Sequence, residues 1–313
     1  MVEGKNQWKA WLYLSPAIIL LLIFTVWPII NTVRTAFLED YSIYKIIGAE
    51  EIGQKISFSV GFKNFEKVIK YPDFLKCLKT TIILCVTTVP ISTFLALLIA
   101  VCLNSIVPLR RFLQTIFFLP YVTNTIAIGM VFAAMFNIVG NPNSGLIQTK
   151  GIINNIIEFF GGHYVNWINV GSTYEANLFV LIVYIVWNAL PFKILILLGG
   201  LQSVNKQYYD AAKVDGTSRI RTFWRITVPM LSPMIAYVVI TGFIGGFKEY
   251  TSVVGIFGEV KAQNDLMTMV GYIYSSLNNQ QEGRASAAAL ILFCIIMVVT
   301  LINLYVSKKK VHY

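Results

Sequence analysis

YYDAAKVDGTSRIRTFWRITVPMLSP, Tyr208 to Pro233, lies between two long apolar runs and holds Lys213, Arg219, Arg221, Arg225 and two aspartates. A linker between membrane helices needs no such content. Asn205 can cap a helix over Lys206–Val214. Gly216 supplies a positive-φ position at which that helix can stop. Thr217 or Ser218 can cap a second helix running to Thr227, and Pro229 falls in the first turn of the next apolar run. The spacing thus predicts a helix–turn–helix. Tyr208, Tyr209, Phe223 and Trp224 give it more apolar surface than a solvated linker requires. Two uses fit: an amphipathic segment resting on lipid headgroups, or a docking knob held by a soluble partner.

The rest of the chain sets the context. With 56% hydrophobic and 13% charged residues among 313, it is a membrane protein, because a soluble core cannot hide so much apolar surface. Its cations flank apolar runs rather than forming an aromatic-spaced basic patch, so nucleic-acid binding does not fit. Cys77, Cys85, Cys102 and Cys294 lack CxxC spacing and read as small hydrophobes. His163 and His312 have no ligand partners in sequence, so no metal site is expected.

Six runs are long enough to cross roughly 30 Å of hydrocarbon: Leu12–Arg34, Thr80–Leu103, Gln114–Asn137, Asn177–Gly200, Pro229–Val254 and Ser286–Val306. The first follows Lys5 and Lys9 but is too long for a signal-peptide core, and is kept as a span. The expected architecture is all-α. Residues 1–79 supply the first helix and a long extracytoplasmic loop, residues 80–306 a five-helix core, and residues 307–313 a basic tail. Lys5 and Lys9, Arg110 and Arg111, the cations of the quoted stretch with Lys206, and Lys308–Lys310 would share the cytoplasmic side with both termini.

Asp210-Ala211-Ala212, three residues, Gly216, nine residues, then Ile226-Thr-Val-Pro229 resembles the EAA loop of inner-membrane permeases from binding-protein-dependent ABC importers, E-A-A-x3-G-x9-I-x-L-P. Asp210 replaces the glutamate and Val228 the leucine; both keep chemical type, although aspartate reaches one methylene less far. The resemblance implies that Tyr209, Asp210, Ala211, Ala212, Asp215, Gly216, Arg219, Phe223, Ile226 and Pro229 form a coupling loop. It would sit in a cleft of a cytoplasmic ATPase, with Asp210 meeting a basic group there. Gly61-Phe-Lys-Asn64-Phe65, Arg111-x3-Thr115-x3-Leu119-Pro120, Phe136-Asn137, Asn143–Ile147, Asn166-Trp167, and Trp187 with Pro191-Phe192 are similar to the carbohydrate-uptake branch.

What the resemblance implies extends to an assembly. Its parts would be a second, similar permease chain in a heterodimer, two copies of an ATP-binding subunit, an extracytoplasmic solute-binding protein and a sugar substrate, in a prokaryotic cytoplasmic membrane. No G-x-x-x-x-G-K-[ST] occurs, so ATP and magnesium are expected on the partner, with no cofactor and no catalysis in this chain.

Ionisable residues at membrane depth are functional candidates. Lys193, late in the fourth run, is expected to snorkel to the cytoplasmic boundary. Lys248 and Glu249 fall near the outer end of the fifth, where they can line a cavity or meet headgroups. Gly242 and Gly246 have the spacing of close helix packing. The expected substrate-pathway lining is Asn124, Trp187, Asn188, Gly245, Gly246, Lys248, Glu249 and Tyr250. Ala285–Ala289 reads as an exposed small-residue face for another helix bundle. An ion-coupled secondary transporter using Lys193, Lys248 and Glu249 as relays would require an inverted repeat, and none is visible. An ABC permease for a solute other than a sugar is the second alternative.

Overall fold

The computed structural model describes residues 7–51, 53–54, 56–106, 110–141, 146–262 and 266–310. Lys5, His312 and Asn143-Ser-Gly145 of the family match lie outside the described residues. The chain is predominantly helical and forms two compact units, one running to Tyr71 with Ile273–Ile291, the other comprising Pro72–Tyr272 and the chain from Leu292 onward.

In the first unit, α1 (Gln7–Leu21) passes through a π-helical turn, Leu22–Val26, into α2 (Trp27–Phe37). The most apolar part of this stretch has a mean hydropathy of 2.2, and none of that part is buried. Two short helices follow, α3 (Ile43–Glu51) and α4 (Lys63–Ile69). Here the G-x-x-N-F match acquires a physical meaning. Asn64 is 1% exposed; its amide donates to the carbonyls of Ala36 at 3.0 Å and Leu38 at 2.7 Å, and its Oδ1 accepts the Asp40 N–H at 3.2 Å. One side chain thus satisfies the backbone that α2 leaves unpaired. Gly283 lies against the same amide: a Cβ there would sit 2.7 Å from Asn64 Nδ2. Asp40 pairs with Lys67 and with Lys63, the latter at 2.9 Å. Hydrogen bonds from these two lysines hold its carboxyl at about 2, below the ordinary 3.8.

The second unit is built on α5 (Phe74–Ser105), then α6 (Arg110–Val122), α7 (Thr125–Phe136), the antiparallel pair β1 (Val139–Asn141) and β2 (Leu146–Thr149), α8 (Gly151–Phe159) and α9 (Tyr174–Ser203). Next come α10 (Lys206–Val214), α11 (Arg219–Thr222), α12 (Val228–Met230), α13 (Ser232–Phe247), α14 (Thr251–Phe257), α15 (Met269–Asn278) and α16 (Glu282–Lys310), the last two shared with the first unit. α5 and α9 pack along each other. One apolar cluster joins Leu84, Val180, Leu181, Tyr184 and Ile185 to Val253 and Ile256; another joins Ala96, Ala100, Leu197 and Leu198 to Leu231 and Val238. Tyr184 donates its hydroxyl to the Thr125 carbonyl at 2.6 Å, which ties α9 to the start of α7.

Among the described residues, four helices are long and apolar enough to cross a membrane, or up to six if each of two bent pairs is one span. The bent pairs interrupt two of the expected runs, Gln114–Asn137 and Pro229–Val254. In the first, the chain turns by 98° between Val122 and Thr125, just past Pro120, and Asn124 restarts the helix by accepting the N–H groups of Ile126 and Ala127 at 2.9 and 3.3 Å. In the second, Pro229 and Pro233 bracket a 69° bend, because neither proline can donate to the helix it interrupts. α13 then stops at Phe247 and α14 begins anew at Thr251. The small-residue face is also corrected: Ala285, Ala287 and Ala288 are 1%, 0% and 0% exposed. Their size lets them pack within the chain, so they are not a free surface.

Candidate functional site

A cavity of about 290 Å³ opens among α5, α6, α9 and α13. Thr88 and Ser92 come from α5, one turn apart; α6 adds Tyr121, and α9 adds Asn188, Phe192 and Lys193. From the α13 side come Thr241, Gly242, Gly245, Gly246 and, just past its end, Glu249. Gly242 and Gly246 set the width: a Cβ would meet Val89 Cγ1 at 3.1 Å and Cys85 Sγ at 3.0 Å, so these positions carry α13 against α5. Gly245 has nothing within 4 Å of its would-be Cβ. Tyr121 stacks on Phe192, ring centroids 5.8 Å apart at 20°.

Lys193 does not snorkel. It is 4% exposed, and its ammonium donates to the Val89 carbonyl at 3.2 Å, Ser92 Oγ at 2.7 Å and Thr93 Oγ1 at 2.9 Å. Three donors thus meet three neutral oxygens, all on α5. Position along the run fixed its depth, but the helix face it occupies decided its partner. The two hydroxyls donate onward to the carbonyls of Thr88 and Val89. Replacing both Ser92 and Thr93 by valine will leave the buried ammonium short of acceptors and destabilise the protein by about 2 kcal/mol or more. Adding Lys193→Met to that pair will restore most of the loss; thermal unfolding of the detergent-purified protein reads both effects. A triple variant no more stable than the double would remove the ammonium as the cause.

Of the expected pathway residues, Asn188, Gly245, Gly246 and Glu249 line this cavity and Asn124, Trp187, Lys248 and Tyr250 do not. Asn124 caps α7. Trp187 packs on Phe132 and Tyr184, centroids 6.0 and 6.4 Å away. Lys248 closes the end of α13, and Tyr250 precedes α14. Glu249 accepts the Ser252 N–H at 3.0 Å. Sequence reading passed over Thr88, Ser92, Tyr121 and Thr241 and took Phe192 only as part of a family match; the one available signal was the i, i+4 spacing of Thr88 and Ser92 inside an apolar run.

The quoted stretch folds locally as its signals direct. Asn205 Oδ1 accepts the Gln207 N–H at 3.0 Å, and α10 covers Lys206–Val214. Gly216 has φ +62°, and Ser218 Oγ accepts the Arg221 N–H at 3.4 Å. The second helix differs: α11 ends at Thr222, and Phe223–Thr227 is a π-helical turn. Ala212 is 6% exposed, and Tyr209 reaches Thr227 Oγ1 at 3.3 Å, closing the two arms on each other. Phe223 packs into the core beside Leu231. Outside stay Asp210, which pairs with Lys213 at 3.2 Å, with Ala211, Asp215 and Arg219. Val214 and Ile220 are 88% and 74% exposed, more apolar surface than a finished face leaves open. Ile226 is half-buried. Val228 and Pro229 line a groove of about 390 Å³ with Val306 and Ser307, so this segment stands at the basic end of α16.

With this geometry in place, comparison with known proteins gives the class. Residues 89–312 match the binding-protein-dependent transport system inner membrane component family, and the chain belongs to that family. It is 30% identical to the arabinooligosaccharides transport system permease protein of Bacillus subtilis over 95% of this chain and 88% of that one. It is 29% identical to the lactose transport system permease protein of Rhizobium radiobacter, covering 96% and 95%. The fold is shared with a chain of a bacterial alginate ABC transporter solved with an alginate pentasaccharide-bound periplasmic protein, at TM-score 0.75, 21% identity and coverage of 97% and 96%. The protein is therefore a multi-pass membrane permease of the ABC importer class.

Proposed function

We propose that this chain is one half of the translocation pore of an ATP-driven importer for an oligosaccharide or related glycoside, working by alternating access. The observation that carries the substrate class is the cavity of about 290 Å³, where Thr88, Ser92, Asn188 and Thr241 place neutral hydrogen-bonding groups beside the stacked Tyr121 and Phe192. Hydroxyl-rich, CH-faced sugar rings suit both kinds of surface. The arabinooligosaccharide and lactose names of the relatives support the same reading.

ATP hydrolysis falls to two copies of a separate cytoplasmic subunit, docked on the exposed arms of α10 and α11. A second, similar permease chain covers the unburied apolar length of α1 and α2. A solute-binding protein delivers substrate from outside. The groove joining Pro229 to Ser307 supports the orientation: it sets the chain that follows Arg225 beside the helix end that carries Lys308 and Lys309, and by the positive-inside rule the side holding these cations is the cytoplasmic one. Arg284 begins the same helix about 36 Å away, at a rise of about 1.5 Å per residue, hence on the outer side.

The decisive experiment is uptake of a labelled oligosaccharide series into vesicles holding the complete complex, with ion gradients dissipated. Uptake is expected only with internal ATP and the binding protein. Uptake that needs an ion gradient and ignores ATP would overturn this function.

A further inference from the structure

A second cavity, of about 260 Å³, lies in the first unit and plays no part in the transport reading; Asp40, Lys45, Lys67, Gln280 and Arg284 border it. Among the described residues only Asp40 and Gln280 are non-glycine with positive φ, at 54° and 58°, and both stand at this one cavity. Left-handed backbone at a residue with a side chain costs free energy and persists where the surroundings enforce it, often at ligand sites. The glycines at other turns, Gly216 and Gly258, show that this sequence uses the unstrained solution elsewhere.

The cavity is also electropositive. Its lining sets Lys45, Lys67 and Arg284 against one carboxylate, Asp40. Asp40 is engaged by Lys63 and Lys67. Glu282 is not part of the lining, and its Oε2 is buried with no hydrogen-bond partner. Lys45 donates to the Asp40 carbonyl at 3.2 Å, and Arg284 lies over the Tyr71 ring at 5.7 Å. No described carboxylate lies within ion-pair distance of either. An arginine guanidinium placed beside an aromatic ring keeps its fork of donors available for a bidentate carboxylate.

We propose that this cavity is a docking socket for a carboxylate-bearing segment of the extracytoplasmic solute-binding protein, with Arg284 as the anchor and Lys45 as the steering charge. The proposal rests on the import reading, which places the Arg284 end of α16 outside. Charges at the rim of an interface act mainly on encounter and its salt dependence, and those at its centre on dissociation.

The test uses the complete transporter in vesicles, with the solute-binding protein that supports uptake by the wild type, and titrates that protein against ATPase stimulation. Arg284→Gln is expected to raise the half-saturating concentration about tenfold, and Arg284→Glu further, with the maximal rate within about twofold. Lys45→Glu, at an exposed site, is expected to raise it several-fold and to flatten its dependence on ionic strength. Unchanged half-saturation in both glutamate variants, with normal assembly, would overturn the socket alone. So would an effect that follows the anionic-lipid content of the vesicles and not the binding-protein concentration. A wild type indifferent to the binding protein would overturn the import reading and the socket with it.

Discussion

Gly129→Leu will strongly destabilise the folded state of this permease. A Cβ at Gly129 would lie 2.8 Å from Gly255 Cα and 2.9 Å from its carbonyl carbon. Both are backbone atoms, so no rotamer change can relieve the clash. From the other side, a Cβ at Gly255 would meet Gly129 Cα at 3.2 Å, so α7 and α14 cross on two bare backbones. Apolar membrane helices gain little from hydrophobicity against each other and depend on such close approach. Prying them apart also disturbs Phe136, Val253 and Ile256 in the shared core, a loss of about 3 kcal/mol or more. Membrane-fraction yield and thermal unfolding of a fluorescent fusion measure it. Met130→Leu, next along the helix at a 62% exposed site, is the control and will behave as wild type. A Gly129→Leu protein as stable as that control would mean the crossing is not as close as described.

The second large effect concerns Asp210. Its carboxylate is exposed and, among the described residues, holds only the neighbouring Lys213, an i, i+3 pair worth little in water. If the two arms are buried by the ATPase, Asp210 meets a basic side chain there. Removing it leaves that cation unpaired at a desolvated contact, at a cost on the order of 2–5 kcal/mol. ATPase co-purification is therefore expected to fall in the order wild type, Asp210→Ala, Asp210→Lys, with uptake falling in parallel and membrane insertion unchanged. On an anionic lipid surface the order would reverse, since the lysine would be favoured there. Equal co-purification across the three would remove Asp210 from the contact.

The helix–turn–helix was legible because its signals are local: a capping asparagine, a glycine at positive φ and a capping serine each act within one turn of chain. The same reading missed the π-helical turn at Phe223–Thr227, which carries no such signal. The long apolar runs were legible by length, but their bends were not, since composition cannot separate a straight span from one restarted at Asn124. Lys193 shows the limit most plainly. Sequence gives its distance along the helix, whereas its partners Ser92 and Thr93 lie about a hundred positions away and are neighbours only through tertiary packing. Most of the cavity lining shares that limit, because it is assembled from four helices that no single stretch describes.

The 98° turn between α6 and α7 bears on where water must reach. At a rise of about 1.5 Å per residue, the two pieces are only about 20 and 18 Å long, so neither crosses a hydrocarbon layer of roughly 30 Å alone. The peptide groups at the break have left the helical ladder; Asn124 serves two of the freed N–H groups and the Thr123 hydroxyl donates to the Leu119 carbonyl at 3.0 Å, but the last carbonyls of α6 have no following helical turn to donate to them. Lipid tails offer them nothing. Hydration or a neighbouring protein surface has to, which makes this elbow a wet point in the wall of the bundle and sets a limit on how far lipid can close around it.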